Sequence, residues 1–197
     1  MSEFLGPIHH WLYGKIGHQE ELTKALAAHV KTEGWIEDTG RFEKTLPPLE
    51  NVIDVGNIHG WLQAQISDAE TRYAALILKV LSGDDNRLDV LCDVARDFGA
   101  QYAVNPESNA EQAWRAFEDF FVNGMPCDRI NRVTTKDTDS LSWEMTRDIH
   151  AQYWTECPMG SEPYYILRKS VMDGMLIGTG LRLVMEDAAH YTIENQK

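Results

Sequence analysis

The segment GPIHHWLYGKI, residues 6–16, is followed fifty positions later by GNIHGWLQAQI, residues 56–66. When 6–30 is aligned with 56–80, ten of the twenty-five positions are identical, and one of them is a tryptophan. Helical patterning alone does not reproduce residue identities in this way, so the sequence indicates an internal duplication of one helix. The similarity ends near residue 82, which indicates a pair of helices rather than a solenoid.

The spacing of apolar residues predicts four helices in the first two thirds of the chain. Apolar side chains recur at three- and four-residue steps from Pro7 to about residue 33, and Pro7 suits the first helical turn. The same period predicts three more helices, over about 49–81, 86–102 and 109–122, each bounded by glycine, proline or capping residues. We expect these helices to form an antiparallel bundle.

The period changes after Pro126. In LSWEMTRDI, residues 141–149, apolar and polar residues alternate, which is typical of a half-buried strand, and RINRVTT before it predicts a hairpin. A helix is predicted from Tyr164, and two short strands after it. The sequence therefore predicts an α+β fold: a bundle of about four helices over 1–124, then a small antiparallel sheet with one crossing helix over 125–197, both halves sharing one core.

Composition narrows the classes of function. The formal charge is −13, from 31 acidic and 18 basic residues, and no basic stripe is present to bind nucleic acid. No apolar run approaches the roughly 18 residues that a membrane span needs. The three cysteines have no paired spacing, which argues against disulfides and for a reducing compartment. We expect a cytoplasmic protein that binds neither nucleic acid nor membranes, and whose partner is a small molecule or a second copy of the chain.

The repeated histidines and glutamates form the first candidate site. If the two duplicated helices pack antiparallel about a pseudo-dyad, His9 contacts Glu70 and, equivalently, Glu20 contacts His59. Each pair would satisfy polar groups that cost roughly 1–3 kcal/mol when buried without partners. The alternative role is ligand binding by the repeated polar and aromatic side chains, which are His9, His59, Glu20, Glu70, Trp11 and Trp61.

The second candidate site lies on the strand predicted over 141–154. There Glu144, Asp148 and His150 share one face, and the last two are two residues, about 7 Å, apart. Carboxylates with an imidazole suit acid–base catalysis or the binding of a divalent metal. The alternative is an ordinary solvated sheet face. Cys157 is a candidate nucleophile near His150, or an idle buried thiol.

No motif in the chain identifies a reaction: there is no phosphate-binding glycine loop, no GxSxG, no HExxH and no Glu-x-x-His. The aromatic residues and histidines favour a sensor-like protein that binds a small molecule, cofactor or metal in a pocket between helices and sheet. The first alternative is a metal-dependent or acid–base enzyme centred on Glu144, Asp148 and His150. The second is a structural, self-associating protein without a site. Divalent metal and haem are both compatible with the sequence, which specifies neither.

Overall fold

The structure, a computed structural model, describes residues 5–196. The elements are α1 (Pro7–Thr32), α2 (Ile58–Leu81), α3 (Arg87–Ala100), α4 (Ala110–Phe120), β1 (Asn131–Lys136), β2 (Ser140–Met145), α5 (Glu162–Met175), β3 (Leu181–Met185) and β4 (His190–Asn195). The predicted α+β fold, in which helices precede an antiparallel sheet, is confirmed. Within residues 5–196, no helix is long and apolar enough to cross a membrane.

Local capping chemistry sets where the helices begin. Pro7 occupies the first turn of α1, where its missing N–H costs nothing. The side chain of Asn57 accepts a hydrogen bond from the Gly60 amide and caps α2. At α4, Asn109 and Gln112 exchange side-chain and backbone hydrogen bonds as a capping box.

The two duplicated helices pack parallel, and the predicted antiparallel arrangement of α1 and α2 is wrong. The rings of His9 and His59 lie 5.6 Å apart, and those of Tyr13 and Trp61 lie 5.8 Å apart. Both contacts advance along the two helices in the same direction, with matching residues of the repeat side by side. The expected pairs of His9 with Glu70 and of Glu20 with His59 therefore do not form, because each spans eleven residues, about 16 Å along the axis.

The long connection between the helices makes parallel packing feasible. Residues 33–57 run back along α1 towards its amino end: Lys24 Nζ bonds Thr45 Oγ1 at 2.9 Å, and the Tyr13 hydroxyl donates to the Pro47 carbonyl at 2.9 Å. The antiparallel prediction takes residues 33–46 as a loop that leads directly into a second helix near Pro47. A returning segment places the amino ends of α1 and α2 together instead.

The duplicated residues supply a small apolar cluster at this end of the molecule. Its buried members include Leu12, Ile16, Leu62 and Ile66, which are matching positions of the repeat. The larger core contains residues from all five helices and from the sheet, among them Leu26, Ile77, Leu91, Phe117, Trp143, Leu167 and Ile193.

The four strands form one antiparallel sheet in the order β1-β2-β4-β3. Alternation along β2 buries Leu141, Trp143 and Met145 on one face, as the sequence predicts. That face is covered by two helices rather than the single predicted one, since α4 contacts β2 and β4 while α5 contacts β3.

Close approach of α3 and α5 depends on two glycines. A Cβ atom at Gly99 would lie 2.1 Å from the Val171 carbonyl oxygen, and one at Gly174 would lie 2.1 Å from the Arg96 carbonyl oxygen. Neither distance is compatible with a side chain, so these glycines set how closely the two helices cross. This packing holds α5, which supplies part of the site described next.

Candidate functional site

A cavity of about 410 Å³ opens between α2 and the segment 146–153, which follows β2. This segment is not strand, and the prediction that the strand continues to residue 154 is wrong: β2 ends at Met145 and a single 3-10 turn covers Ala151–Tyr153. The wall is mostly polar and is formed chiefly by Gln63, Glu70, Asp128, Arg147, Asp148 and His150.

Glu70 and His150 form a buried polar pair in this wall. Each residue is only 1% exposed, and Glu70 Oε1 lies 3.2 Å from His150 Nδ1. The contact lacks hydrogen-bond geometry, so both carboxylate oxygens and both ring nitrogens are buried without a hydrogen-bond partner. A buried carboxyl group without a donor is costly, so this pair calls for a physical explanation.

Asp148 positions His150. Its Oδ1 accepts hydrogen bonds from the His150 and Ala151 amides at 2.8 and 2.9 Å, which turns the backbone and ends the strand. The hydroxyls of Ser161 and Tyr165 each donate to the same carboxylate at 2.6 Å. Burial alone would raise the pKa of Asp148, but these hydrogen bonds lower it below the ordinary aspartate value. Asp148 is thus a structural anchor and its oxygens are already used.

One aromatic and one cationic side chain of α5 pack beside the Glu70–His150 pair. The Tyr164 ring stacks on the His150 imidazole, with centroids 3.9 Å apart. Arg168 is buried, donates to the Asn123 side-chain oxygen at 2.8 Å and lies over the Phe121 ring. Burial, together with the Glu70 carboxylate, raises the pKa of Tyr164 far above that of free tyrosine, so its hydroxyl stays protonated. The stacking of Tyr164 on His150 therefore fixes the plane of the imidazole.

The repeat provides an internal comparison for Glu70. Its matching residue, Glu20, is also buried, but its carboxylate receives two hydrogen bonds from the Arg72 guanidinium. Arg72 also bonds Asp68 at 3.1 Å and the Phe42 carbonyl at 3.0 Å. The repeat thus places a buried glutamate twice, and only the second copy lies in a cavity wall without a donor.

The remaining charged wall residues make the cavity mouth acidic. Arg147 bonds Asp128 Oδ1 at 3.0 Å, and the other oxygen of Asp128 accepts from the Met125 amide at 2.9 Å. With Glu70 and Asp148, the wall has three carboxylates against one guanidinium that is already paired. Such a surface favours positively charged groups.

A larger cavity, of about 980 Å³, adjoins the first one along α2. Gln152 and Tyr153 line both, and the Tyr153 hydroxyl is 3.2 Å from Ser67 Oγ on α2. The larger cavity has an apolar portion formed by Ala75, Leu78, Leu81, Cys157, Pro158 and Met159. Cys157, the predicted candidate nucleophile, is therefore a wall residue here, where its thiol is buried.

The other predicted site residues lie elsewhere. Glu144 is on the outer face of the sheet, where Arg132 bonds it, and it does not line the cavity that contains Asp148 and His150. The acidic and imidazole trio predicted to share a strand face is therefore not brought together. Within residues 5–196, no group of three or more His, Cys, Asp or Glu side chains is placed to hold a metal ion.

The repeated histidines and tryptophans line neither cavity. His9 is buried against His59, and its Nδ1 accepts from the Gly6 amide at 2.9 Å. Trp11 donates to Asp119 at 2.9 Å, and Trp61 packs on Tyr13 beside the small cluster. These residues hold the amino ends of α1 and α2 together.

Sequence reasoning missed Tyr164, Arg168 and Asn123. A charged residue at 168, within the apolar stripe Leu167, Val171 and Met172 of a predicted helix, was a usable signal, because buried arginines are held by specific partners. Glu70 and His150 were each singled out, but in different candidate sites. Eighty residues separate them in the chain, and no periodicity reports such a contact.

Comparison of the chain with protein-family models, with curated proteins and with solved structures finds no match.

Proposed function

We propose that this protein binds a small molecule with a cationic, hydrogen-bond-donating group, such as a protonated amine, in the cavity walled by Glu70 and His150. The odd, unpaired spacing of the cysteines favours the cytoplasm as its compartment. This refines the sensor-like, ligand-binding role that the sequence favours.

The unpartnered carboxylate of Glu70 carries the proposal. A buried acceptor without a donor costs roughly 1–3 kcal/mol, and more when it is charged. Glu20 shows that the same helical position accommodates a glutamate when an arginine supplies donors. At Glu70 a ligand ammonium group would supply them, and Gln63, two turns earlier on α2, lines the same cavity with an exposed side chain.

The charge of the wall favours a cation over an anion. Three wall carboxylates and the formal charge of −13 would repel an anionic ligand. The one guanidinium, that of Arg147, is paired with Asp128 and offers little to an anion. A neutral alcohol of the same shape would gain one hydrogen bond but no charge attraction, so it is expected to bind more weakly.

A matched ligand series tests this proposal. Saturation-transfer NMR at pH 7.5 compares ethylammonium, butylammonium and benzylammonium with ethanol, butanol and benzyl alcohol. We expect signals from the amines that weaken at least tenfold in Glu70→Gln and persist in the control Glu144→Gln, which alters a carboxylate outside the cavity. Equal signals from amines and alcohols, or amine signals unchanged in Glu70→Gln, would refute it.

Acid–base catalysis at the same pair is the second candidate function. The observation in its favour is that His150 Nδ1 faces a carboxylate, while Nε2 has no hydrogen-bond partner. A carboxylate that orients an imidazole leaves the second nitrogen to accept a proton. In this version Glu70 has the role that the sequence predicts for Glu144.

Hydrolysis of p-nitrophenyl acetate offers a simple readout of imidazole reactivity. We expect the wild type to exceed His150→Gln by at least tenfold and His190→Gln, an exposed control, to match the wild type. Identical rates in all three proteins would remove this candidate and leave ligand binding untouched.

A further inference from the structure

We infer that the ligand is an amphipathic amine, whose charged head occupies the smaller cavity and whose apolar tail extends past Tyr153 into the larger one. This rests on the proposed function and specifies the chemical class of the molecule bound.

The two cavities lie next to each other along α2. The smaller one meets the helix at Gln63, Ile66 and Glu70, and the larger one at Thr71, Ala75, Leu78 and Ser82. Glu70 and Ala75 are five residues apart, about 7.5 Å along the axis and about 140° around it, and an alkyl chain of several methylenes that curves around the helix past Tyr153 spans this separation. One molecule can therefore contact both.

The walls of the two cavities differ in polarity. Side chains with charge or an amide dominate the smaller wall, whereas Ala75, Leu78, Leu81 and Met159 give the larger one an apolar lining. A small polar ligand would leave this apolar lining in contact with water. An alkyl or aryl tail would cover it, and each buried methylene stabilises binding by about 0.8 kcal/mol.

One short segment separates the two cavities. Only Gln152 and Tyr153 line both cavities, and the backbone at this point is a single 3-10 turn. The Gln152 side chain is exposed, and the Tyr153 hydroxyl is held to Ser67 by one hydrogen bond of 3.2 Å. A single hydrogen bond of this kind contributes only about 1 kcal/mol, so a tail can displace the ring at small cost.

The charges of the two walls determine which end of the ligand occupies which cavity. The larger cavity also contains Arg41 and Lys79, together with Asp84, Asp85 and Glu156 at its margin, so its charges are mixed. Only the smaller cavity has a buried carboxylate without a donor, Glu70. The ammonium head therefore belongs with Glu70 and the tail with Ala75 and Leu78.

Calorimetric titration with a chain-length series tests the inference on the 197-residue chain. The probes are the n-alkylammonium ions from ethyl to octyl at pH 7.5. In the wild type we expect affinity to rise roughly fourfold per added methylene, from the transfer free energy of that group. Ala75→Trp fills the larger cavity from an exposed helical position, and it should hold the long-chain affinities at the level of ethylammonium.

Controls separate this inference from the proposed function. Ala28→Trp places the same ring on an exposed position of α1, outside the cavity linings, and should leave the whole series unchanged. If ethylammonium binds in a Glu70-dependent way but chain length has no effect, or if the chain-length effect survives in Ala75→Trp, the amphipathic class is wrong and amine binding stands. If no alkylammonium ion binds, both are wrong.

Discussion

Glu20 and Glu70 occupy the same place in the two copies of the repeat, yet only Glu20 is hydrogen-bonded by an arginine. Position 72, which supplies that arginine to Glu20, matches Leu22 in the first copy, so the duplicated helix provides no equivalent donor for Glu70. The second glutamate instead faces His150 across a cavity wall. The pair of helices thus places one buried carboxylate against an arginine and the other in a cavity wall beside His150.

Replacing Glu20 by glutamine should destabilise the fold, whereas the same replacement at Glu70 should not. Glu20→Gln breaks a buried ion pair, which costs about 3–5 kcal/mol in general, and the low end is expected because Arg72 keeps Asp68. Glu70→Gln replaces a buried carboxyl group that has no hydrogen-bond donor, so the free energy of unfolding should change by less than about 1 kcal/mol or increase. Urea denaturation of both variants measures the contrast, and equal destabilisation would argue against an unpaired Glu70.

Asp148→Asn should loosen the segment that holds His150. The amide can no longer accept four hydrogen bonds, and we expect a loss of about 1–3 kcal/mol in the free energy of unfolding. The folded pKa of Asp148 is lowered, so its contribution is complete above the unfolded value of about 3.9 and is lost as pH falls through the folded one.

Denaturation at several pH values checks the Asp148 prediction. The stability gap between the wild type and Asp148→Asn should shrink as pH falls from 5 to 2. Asp97→Asn is the control, because it changes an exposed carboxylate on α3. A gap that does not depend on pH would contradict the role given to Asp148.

Lys15 should make the protein more stable at alkaline pH. Burial lowers the pKa of Lys15 to about 8, and Glu118 offsets this only in part. Between that value and the unfolded value of about 10.4, the unfolded chain binds more protons, so the free energy of unfolding rises with pH. The integrated effect is about 3 kcal/mol, from 1.36 kcal/mol for each of about 2.4 pKa units.

A methionine variant isolates the Lys15 effect. Lys15→Met should be more stable than the wild type at pH 7, and the wild type should close most of the difference by pH 10. Lys31→Met, which replaces an exposed lysine of the same helix, should show no such trend. A constant difference between pH 7 and 10 would count against a buried Lys15.

Alanine at three glycines should separate close helix packing from helix propensity. Gly99→Ala and Gly174→Ala force a methyl group into the facing backbone and should each destabilise the fold by about 1–3 kcal/mol. Gly14→Ala, on an open helical surface, should stabilise it by about 0.5–1 kcal/mol. Thermal denaturation ranks the three, and a harmless Gly99→Ala would mean that α3 and α5 cross less closely.

The sequence predicts the elements of this fold better than their arrangement. Periodicity identifies most of the buried face of α1 and α2, since Leu12 and Leu62 lie in the core as expected, whereas Ile8, predicted beside them, is 48% exposed. It does not specify whether two helices pack parallel or antiparallel, because the same stripe serves both. That choice depends on the path of residues 33–57, which have no regular period.

The candidate site was only partly predictable for a related reason. The sequence names His150 as a candidate and the structure places it in a cavity wall, but the strand predicted beneath it ends at Met145, because Asp148 turns the chain. In the sequence, the alternation of apolar and polar residues continues past Met145, so Glu144 and His150 are predicted to share one strand face. The real neighbour, Glu70, is on α2, and only the tertiary fold brings it there.

The most direct test of the central claim follows the imidazole nitrogens of all seven histidines by ¹⁵N NMR while butylammonium is added. We predict that the His150 signals shift in a saturable manner, that those of His9 and His59 do not, and that Glu70→Gln abolishes the shift. Unchanged His150 signals at saturating butylammonium, or equal shifts at His9 and His59, would contradict amine binding at the Glu70–His150 pair.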